Sequence, residues 1–316
     1  MPYMSLDQAR VIDPILTKQV QIGPTQNEFV GNLLFPQVPV GLRSGRIIKF
    51  GDEAFALINT RRAPGARTRR RAVTYGSDRY DLYQDKIEGE LPIELLEEVK
   101  NTPDIPIDLQ NMTVMLAKQT IDLRLEYDQL SLACDPNAYS VSFKISLSGT
   151  SQWSNPASSP KAAVNGWKEA IRRAIGKYPN TGVMGAPVFN TLDQHPEIRD
   201  QFKYTNDNSL TKEMLKRYFN LENIGIATSL VLNNTTGVKE DIVSNQFVLS
   251  YTNPDPKPNI ITPSFGYTYN LKGFPIALPP YYGENEETWY FPVKAERDPV
   301  ITFPGAGFLA QNVVAL

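Results

Sequence analysis

Apolar positions in residues 1–45 follow no single period. Ile12, Ile15, Leu16, Phe29, Val30, Leu33, Leu34 and Phe35 are interrupted by Pro14, Gly23, Pro24, Pro36 and Pro39. No helix longer than a few turns fits between those breaks, so the segment reads as an arm. Its apolar groups need a surface, either the chain's own body or a neighbouring copy. From Arg46 the texture turns to strand: Arg46 to Phe50 and Ala54 to Ile58 are β-rich, Ala63-Pro64-Gly65-Ala66 signals a turn, and Arg67 to Tyr75 alternates. Residues 46–83 thus predict a long β-hairpin with its tip near Pro64-Gly65. A lone two-stranded ribbon is marginal in water, so this one should lie on something, most plausibly another subunit.

Beyond the hairpin, Ile93 to Lys100 predicts a short helix closed by Pro103 and Pro106. Asp108 is then placed to cap the longest helical stretch, Leu109 to Cys134, where Leu109, Met112, Leu116, Leu123, Tyr127 and Leu130 recur at near-helical spacing. Asp135-Pro136 forbids continuation. Tyr139 to Leu147 alternates as a strand, and a Ser-rich loop holding Trp153 follows. The texture then becomes α/β. Helices are expected over 161–176, 187–192 and 211–219, with strands over 181–185 and 224–232. From Phe247 strands dominate again. The class is α+β, with no internal repeat.

Composition removes whole classes of chemistry. One His and one Cys among 316 residues supply neither a multi-histidine metal site nor a disulfide framework. A net charge of -2 argues against a dedicated nucleic-acid binder. No run of ~18 apolar residues predicts a membrane span, and the charged N-terminus does not read as a secretory signal. The expectation is a soluble product made in a reducing compartment. Proline, at 25 residues or about 8% against a typical ~5%, marks extended connections.

Catalytic motifs fail one by one. There is no phosphate loop and no Gly-x-Ser-x-Gly elbow, and Gly182-Val183-Met184-Gly185 lacks the third glycine of a dinucleotide fingerprint. His195, held by Pro196, reads as a helix-end or surface histidine, and Cys134 as a packed thiol. No catalytic residue, cofactor site or metal site is expected.

The hairpin tip is the one charged anomaly. Arg61, Arg62, Arg67, Arg69, Arg70 and Arg71 occur with no acidic residue between Thr60 and Gly76. Three readings stand: a solvated loop, phosphate binding, or docking onto acidic patches of a neighbour. Candidate patches are Glu94, Glu97 and Glu98, or Glu284, Glu286 and Glu287. Arginine favours the last two readings, because its planar fork pairs phosphate or carboxylate through two bonds.

At Leu147-Ser148-Gly149-Thr150-Ser151-Gln152-Trp153-Ser154 the sequence resembles the major capsid proteins of tailed bacteriophages, in which such a run follows the long helix. Trp167 to Tyr178-Pro179-Asn180-Thr181, Val188 to Leu192, His195-Pro196-Glu197-Ile198-Arg199, Lys203-Tyr204-Thr205 and Gly305-Ala306-Gly307-Phe308-Leu309 are similar to further segments of that family. The resemblance spans nearly the whole chain in order. It implies the Hong Kong 97-type fold: an N-terminal arm over 1–45, a hairpin or E-loop over 46–83, a peripheral domain over 84–154 with spine helix 109–134, an axial domain over 155–280, and a return to the peripheral domain over 281–316.

On that resemblance the chain assembles as pentamers and hexamers into an icosahedral virion shell, made in the host cytoplasm. The shell encloses double-stranded DNA contacted non-specifically, has cement, scaffold and portal proteins as partners, and involves no membrane or catalysis. Inter-subunit roles fall to the six arginines and to Ile12, Leu16, Phe29, Leu33 and Phe35 of the arm. The rivals are an encapsulin-like compartment shell and an enzyme with an unrecognised site in the α/β insert.

Overall fold

The computed structural model describes residues 13–22, 29–47, 57, 61, 67, 78–100, 108–202, 210–233, 235–253 and 263–315. Ile12, most of the hairpin with Arg62, Arg69, Arg70 and Arg71, and Lys203 to Thr205 lie outside them.

The arm contains two short helices, α1 (Pro14–Ile22) and α2 (Gly31–Leu34), then strands β1 (Gln37–Val40) and β2 (Ser44–Arg46). After the hairpin come β3 (Arg79–Asp81), β4 (Tyr83–Pro92), α3 (Ile93–Lys100) and α4 (Leu109–Cys134). The Asp108 carboxylate accepts the Asn111 N–H at 3.1 Å, the side-chain cap that opens α4. Strand β5 (Lys144–Ser146) leads to α5 (Pro160–Ile175), which starts on a proline and ends at Gly176 in the left-handed region, φ 70°. Next are β6 (Thr181–Gly185), α6 (Ala186–Gln194), α7 (Pro196–Phe202) and α8 (Lys212–Phe219), the last capped by Thr211. The chain continues through β7 (Asn223–Ala227), β8 (Leu230–Leu232), β9 (Lys239–Asp241) and β10 (Phe247–Ser250). It closes with β11 (Gly266–Leu271), β12 (Ile276–Ala277), β13 (Tyr281–Gly283), β14 (Thr288–Ile301) and β15 (Gly307–Gln311).

Two main sheets organise these elements. In the first, β14 is the axle. Along one edge it pairs antiparallel with β4 from Thr288↔Pro92 to Arg297↔Tyr83. Along the other it meets β13, β12 and β11 in succession. Pro292, with no N–H to donate, stands between the stretches paired with β13 and β12. Helix α4 lies on this sheet and buries Val114, Ala117 and Ile121 against Phe291, Val293 and Ala295. The second sheet runs β5-β15-β10-β6-β7, with β6 and β7 parallel and β10 antiparallel to both its neighbours. Beside it Trp153 is the hub of the aromatic core, with ring centroids 5.9 Å from Trp167, 6.0 Å from Phe219 and 5.6 Å from Phe247. That packing explains a tryptophan in an otherwise polar loop.

Several expectations change. Residues 139–147 form strand only at Lys144–Ser146; before it, Val141–Phe143 is a 3₁₀ turn. Tyr139 is drawn inward instead, its hydroxyl donating to the Ala133 carbonyl at 2.7 Å, so the alternation there reflects core packing rather than a ladder. The strand expected over 224–232 splits, because β7 stays in the second sheet while β8 pairs with β9 in a separate ribbon. Sheet membership also cuts across the expected 155–280 and 281–316 segments. Strands β11 and β12 join β14 in the first sheet, and β15 returns to the second.

The described part of the arm packs on its own body. Strand β1 adds parallel to β11, and α1 is tied to β12 through Thr17 and Ala277, the hydroxyl donating at 3.1 Å and accepting at 3.0 Å. Phe35 is fully buried beside Phe265, with centroids 5.5 Å apart, so within the subunit its ring belongs to the chain's own core. Leu33 and Leu16 pack on the chain's own core and remain partly exposed, as does Phe29.

Candidate functional site

The two sequence-distant acidic patches meet at one corner of the molecule. The last register pair of β4 and β14 sets Pro92 opposite Thr288, and the Ile93 N–H at the start of α3 donates to the Glu287 carbonyl at 3.0 Å. Glu94, Glu97 and Glu98 of α3 therefore stand beside the β13–β14 turn that carries Glu284, Glu286 and Glu287, and all six are exposed. Tyr281 and Tyr282, also exposed, edge the same turn; Tyr281 stacks on Tyr290 at 5.2 Å and Tyr282 is tilted against Trp289 at 5.4 Å. The Tyr281 hydroxyl donates to Glu88 at 2.7 Å. An acidic surface with aromatic faces suits guanidinium groups, which pair with carboxylates and stack on rings.

Of the hairpin arginines, Arg61 and Arg67 are described, and both are exposed. The hairpin's root is well defined. Strands β2 and β3 pair antiparallel, Ser44↔Asp81 to Arg46↔Arg79, as the expected hairpin requires at its base. Three contacts bind this root to the first sheet. Arg43 grips Glu296 through two bonds, Nε to Oε2 at 2.7 Å and Nη2 to Oε1 at 3.2 Å. The Asp81 N–H donates to Asp298 Oδ2 at 3.1 Å. Tyr80 stacks on Tyr269 with centroids 4.4 Å apart. Glu296 is nearly buried and takes a second cation, Lys294 at 2.8 Å; these partners outweigh desolvation and hold its pKa below the usual carboxylate range. Among the described residues Asp298 has no comparable cation, and burial pushes its pKa up to about 6.

A third carboxylate, buried like Glu296, fastens the arm. Glu126 on α4 accepts the Val30 and Gly31 N–H groups at 2.8 Å each, satisfying donors at the start of α2. Burial raises its pKa despite those bonds. A polar cavity of about 130 Å³ lies alongside, lined by Lys118, Asp122, Glu126, Gln129, Asn270 and Arg297 among others. The sequence reading missed Glu126, Glu296 and Asp298. Glu126 stands among polar helix positions and Glu296 and Asp298 in the charged run Lys294-Ala295-Glu296-Arg297-Asp298, so nothing local in the sequence marks them.

His195 ends α6 as read, but it is buried rather than exposed, with Ser158 Oγ at 3.2 Å from Nε2 and the Glu197 N–H donating to Nδ1. Cys134 is partly buried, and burial pushes its thiol up to about 12, the state of an unreactive packed cysteine. Among the described residues no group of His, Cys, Asp and Glu is arranged to hold a metal, and no helix is long and apolar enough to cross a membrane.

The family model described as Phage major capsid protein E matches residues 138–244. The major capsid protein of Burkholderia phage BcepMu is 34% identical over 275 residues, covering 86% of this chain and 87% of that protein. The crystal structure of a phage-related protein from Bordetella bronchiseptica RB50 is 34% identical and superposes with a TM-score of 0.81, over 97% of this chain and 98% of the other. A chain from the capsid structure of the cyanophage P-SCSP1u, at 9% identity and a TM-score of 0.54 over 88% and 86% of the two chains, shares the fold alone. The architecture is thus the Hong Kong 97-type capsid fold, and a capsid subunit fits better than a compartment shell. By its identity to a phage major capsid protein along most of both chains, the protein belongs to the phage major capsid proteins, structural components of a multimeric virion shell.

Proposed function

We propose that this chain builds the icosahedral head of a tailed phage as pentamers and hexamers around double-stranded DNA, without catalysis. In this reading the hairpin tip of one copy docks on the acidic corner of the next. The observation that carries it is the convergence of six exposed glutamates and two exposed tyrosines at that corner, matched to a segment with six arginines and no acid. The arm is residues 1–45, the E-loop 46–83, and the spine helix belongs to the peripheral domain. The pairing of β11 and β12 with β14, and of β15 with β10, supports counting 266–277 with the peripheral side and 307–311 with the axial side. The partly exposed Leu16, Phe29 and Leu33, with Ile12, supply secondary contacts between copies. Scaffold, cement and portal proteins act as partners, and synthesis takes place in the host cytoplasm.

The test is a charge exchange read by electron microscopy of the expressed protein. Arg69→Glu, Arg70→Glu and Arg71→Glu together should abolish shells while the subunit stays folded. Adding Glu284→Arg, Glu286→Arg and Glu287→Arg should restore them. Normal shell yield from the first variant removes the docking role, and normal shells depleted of nucleic acid assign the arginines to phosphate instead. Ordered rings of five and six in the particles test the capsomer reading.

A further inference from the structure

Strand β14 holds the root of the hairpin at two adjacent positions of one face, and the two holds differ in kind. Glu296 grips the incoming strand through Arg43, with Lys294 as a second cation. Asp298, two residues on, grips the outgoing strand only through the Asp81 N–H. No ion pair reaches Asp298 among the described residues. The groups around it are otherwise mostly acidic or aromatic. Asp81 and Tyr80 face it from β3, Tyr269 lies opposite on β11, and Glu296 is beside it on β14. Tyr83 and Asp85 of β4, Arg124 and Asp128 of α4, and Arg297 line the adjoining groove. The cations there are engaged elsewhere: Arg43 with Glu296, Arg124 with Asp128, and Arg297 with Asp122 and Asp85.

We propose that the hairpin root is an acid-tightened clasp, in which protonation of Asp298 strengthens the hold on β3, so that lower pH closes the root and higher pH loosens it. An ionised Asp298 in the closed root is partly stripped of water and sits against the Asp81 charge, whereas opening the root returns it to solvent. A protonated carboxyl loses that reason to open and still keeps an oxygen to accept the Asp81 N–H. The direction follows from linkage: the closed root binds the proton more tightly than the open one, so acid favours closure. The pKa of about 6, against 3.8 for the free side chain, places the change between roughly pH 4 and 7. The clasp belongs to the subunit and stands whether or not the tip docks as proposed above.

Hydrogen exchange on the full-length unassembled chain tests it. Protection of the Asp81 and Leu82 amides, corrected for intrinsic exchange, should fall at least about five-fold from pH 5 to pH 7.5, within a linkage ceiling of about ten-fold over that range. Asp298→Asn should flatten that fall while the β4–β14 ladder keeps its protection. Arg43→Ala should lower protection at every pH and leave the slope intact. Asp298→Ser carries the same test if the asparagine variant fails to fold. Protection that rises with pH, or a fall that persists in the neutral variants, overturns the proposal.

Discussion

Replacing Phe35 by Ala separates an arm that belongs to its own fold from one that belongs to a neighbour. The ring is wholly buried, tilted against Phe265. It also lies on the bare backbone of Gly266, where an added Cβ would sit 2.5 Å from ring carbons Cδ1 and Cε1. Gly266 has no side chain to move into the vacated space, and the strand holding it is fixed by β14. The cavity therefore stays largely open, and the loss should be about 4 kcal/mol, in the range for Phe→Ala in a core. At about 2.1 cal/mol/K of unfolding entropy per residue, a chain of this length loses about 6 °C in Tm. Calorimetry on the unassembled subunit measures this directly. An unchanged subunit Tm combined with lost assembly would refute the reasoning, because Phe35 would then act between copies.

Three further substitutions probe single contacts. Gly185→Ala should destabilise by about 3 kcal/mol or more, seen as a lower denaturation midpoint, because the new Cβ would stand 1.9 Å from the Ser244 carbonyl oxygen although φ is an ordinary -69°. Glu126→Ala should lose roughly 2–4 kcal/mol by stranding two buried N–H groups. Glu126→Gln has a different signature. Burial raises this pKa in the fold, so its contribution is full at acid pH and lost as pH rises through the raised value, and the neutral variant should lack that decline. Lys168→Met should cost about 1–3 kcal/mol in urea titration, since the buried ammonium donates to the Phe219 and Asn220 carbonyls at the end of α8.

What could be read from the sequence was local. Asp108, Asp135-Pro136, Gly176 and Thr211 mark helix ends by short-range chemistry, and α3, α4, α5 and α8 form where those marks predict. Long-range pairing left no such mark. Residues 83–92 carry an irregular charged pattern, Gln84-Asp85-Lys86-Ile87-Glu88, yet form a ten-residue strand because β14 lies beside them. Tyr139 misled for the converse reason, since its inward turn imitates strand alternation. The acidic corner was visible only as two halves, which the β4–β14 register joins. Glu126, Glu296 and Asp298 were hidden because their role depends on the N–H or guanidinium brought to them from elsewhere in the chain.

Strand β14 gives these surfaces a common geometry. Its first residue, Thr288, stands at the acidic corner, and Glu296 and Asp298 hold the hairpin root. Eight to ten strand residues at ~3.3 Å each separate the two by about 30 Å. Over that length β14 is paired with β4 on one edge and backed by α4, so it behaves as a stiff beam rather than a hinge. Under the proposed docking, each copy receives its neighbour's hairpin at one end of the beam and sends out its own from the other. The contact is head-to-tail, and such contacts close into rings only when the rotation per step is fixed. A continuous strand between the receiving corner and the sending root fixes that rotation. If the proposed docking holds, adjustment between copies falls to the root, where one hold is an ion pair and the other a single carboxyl bond.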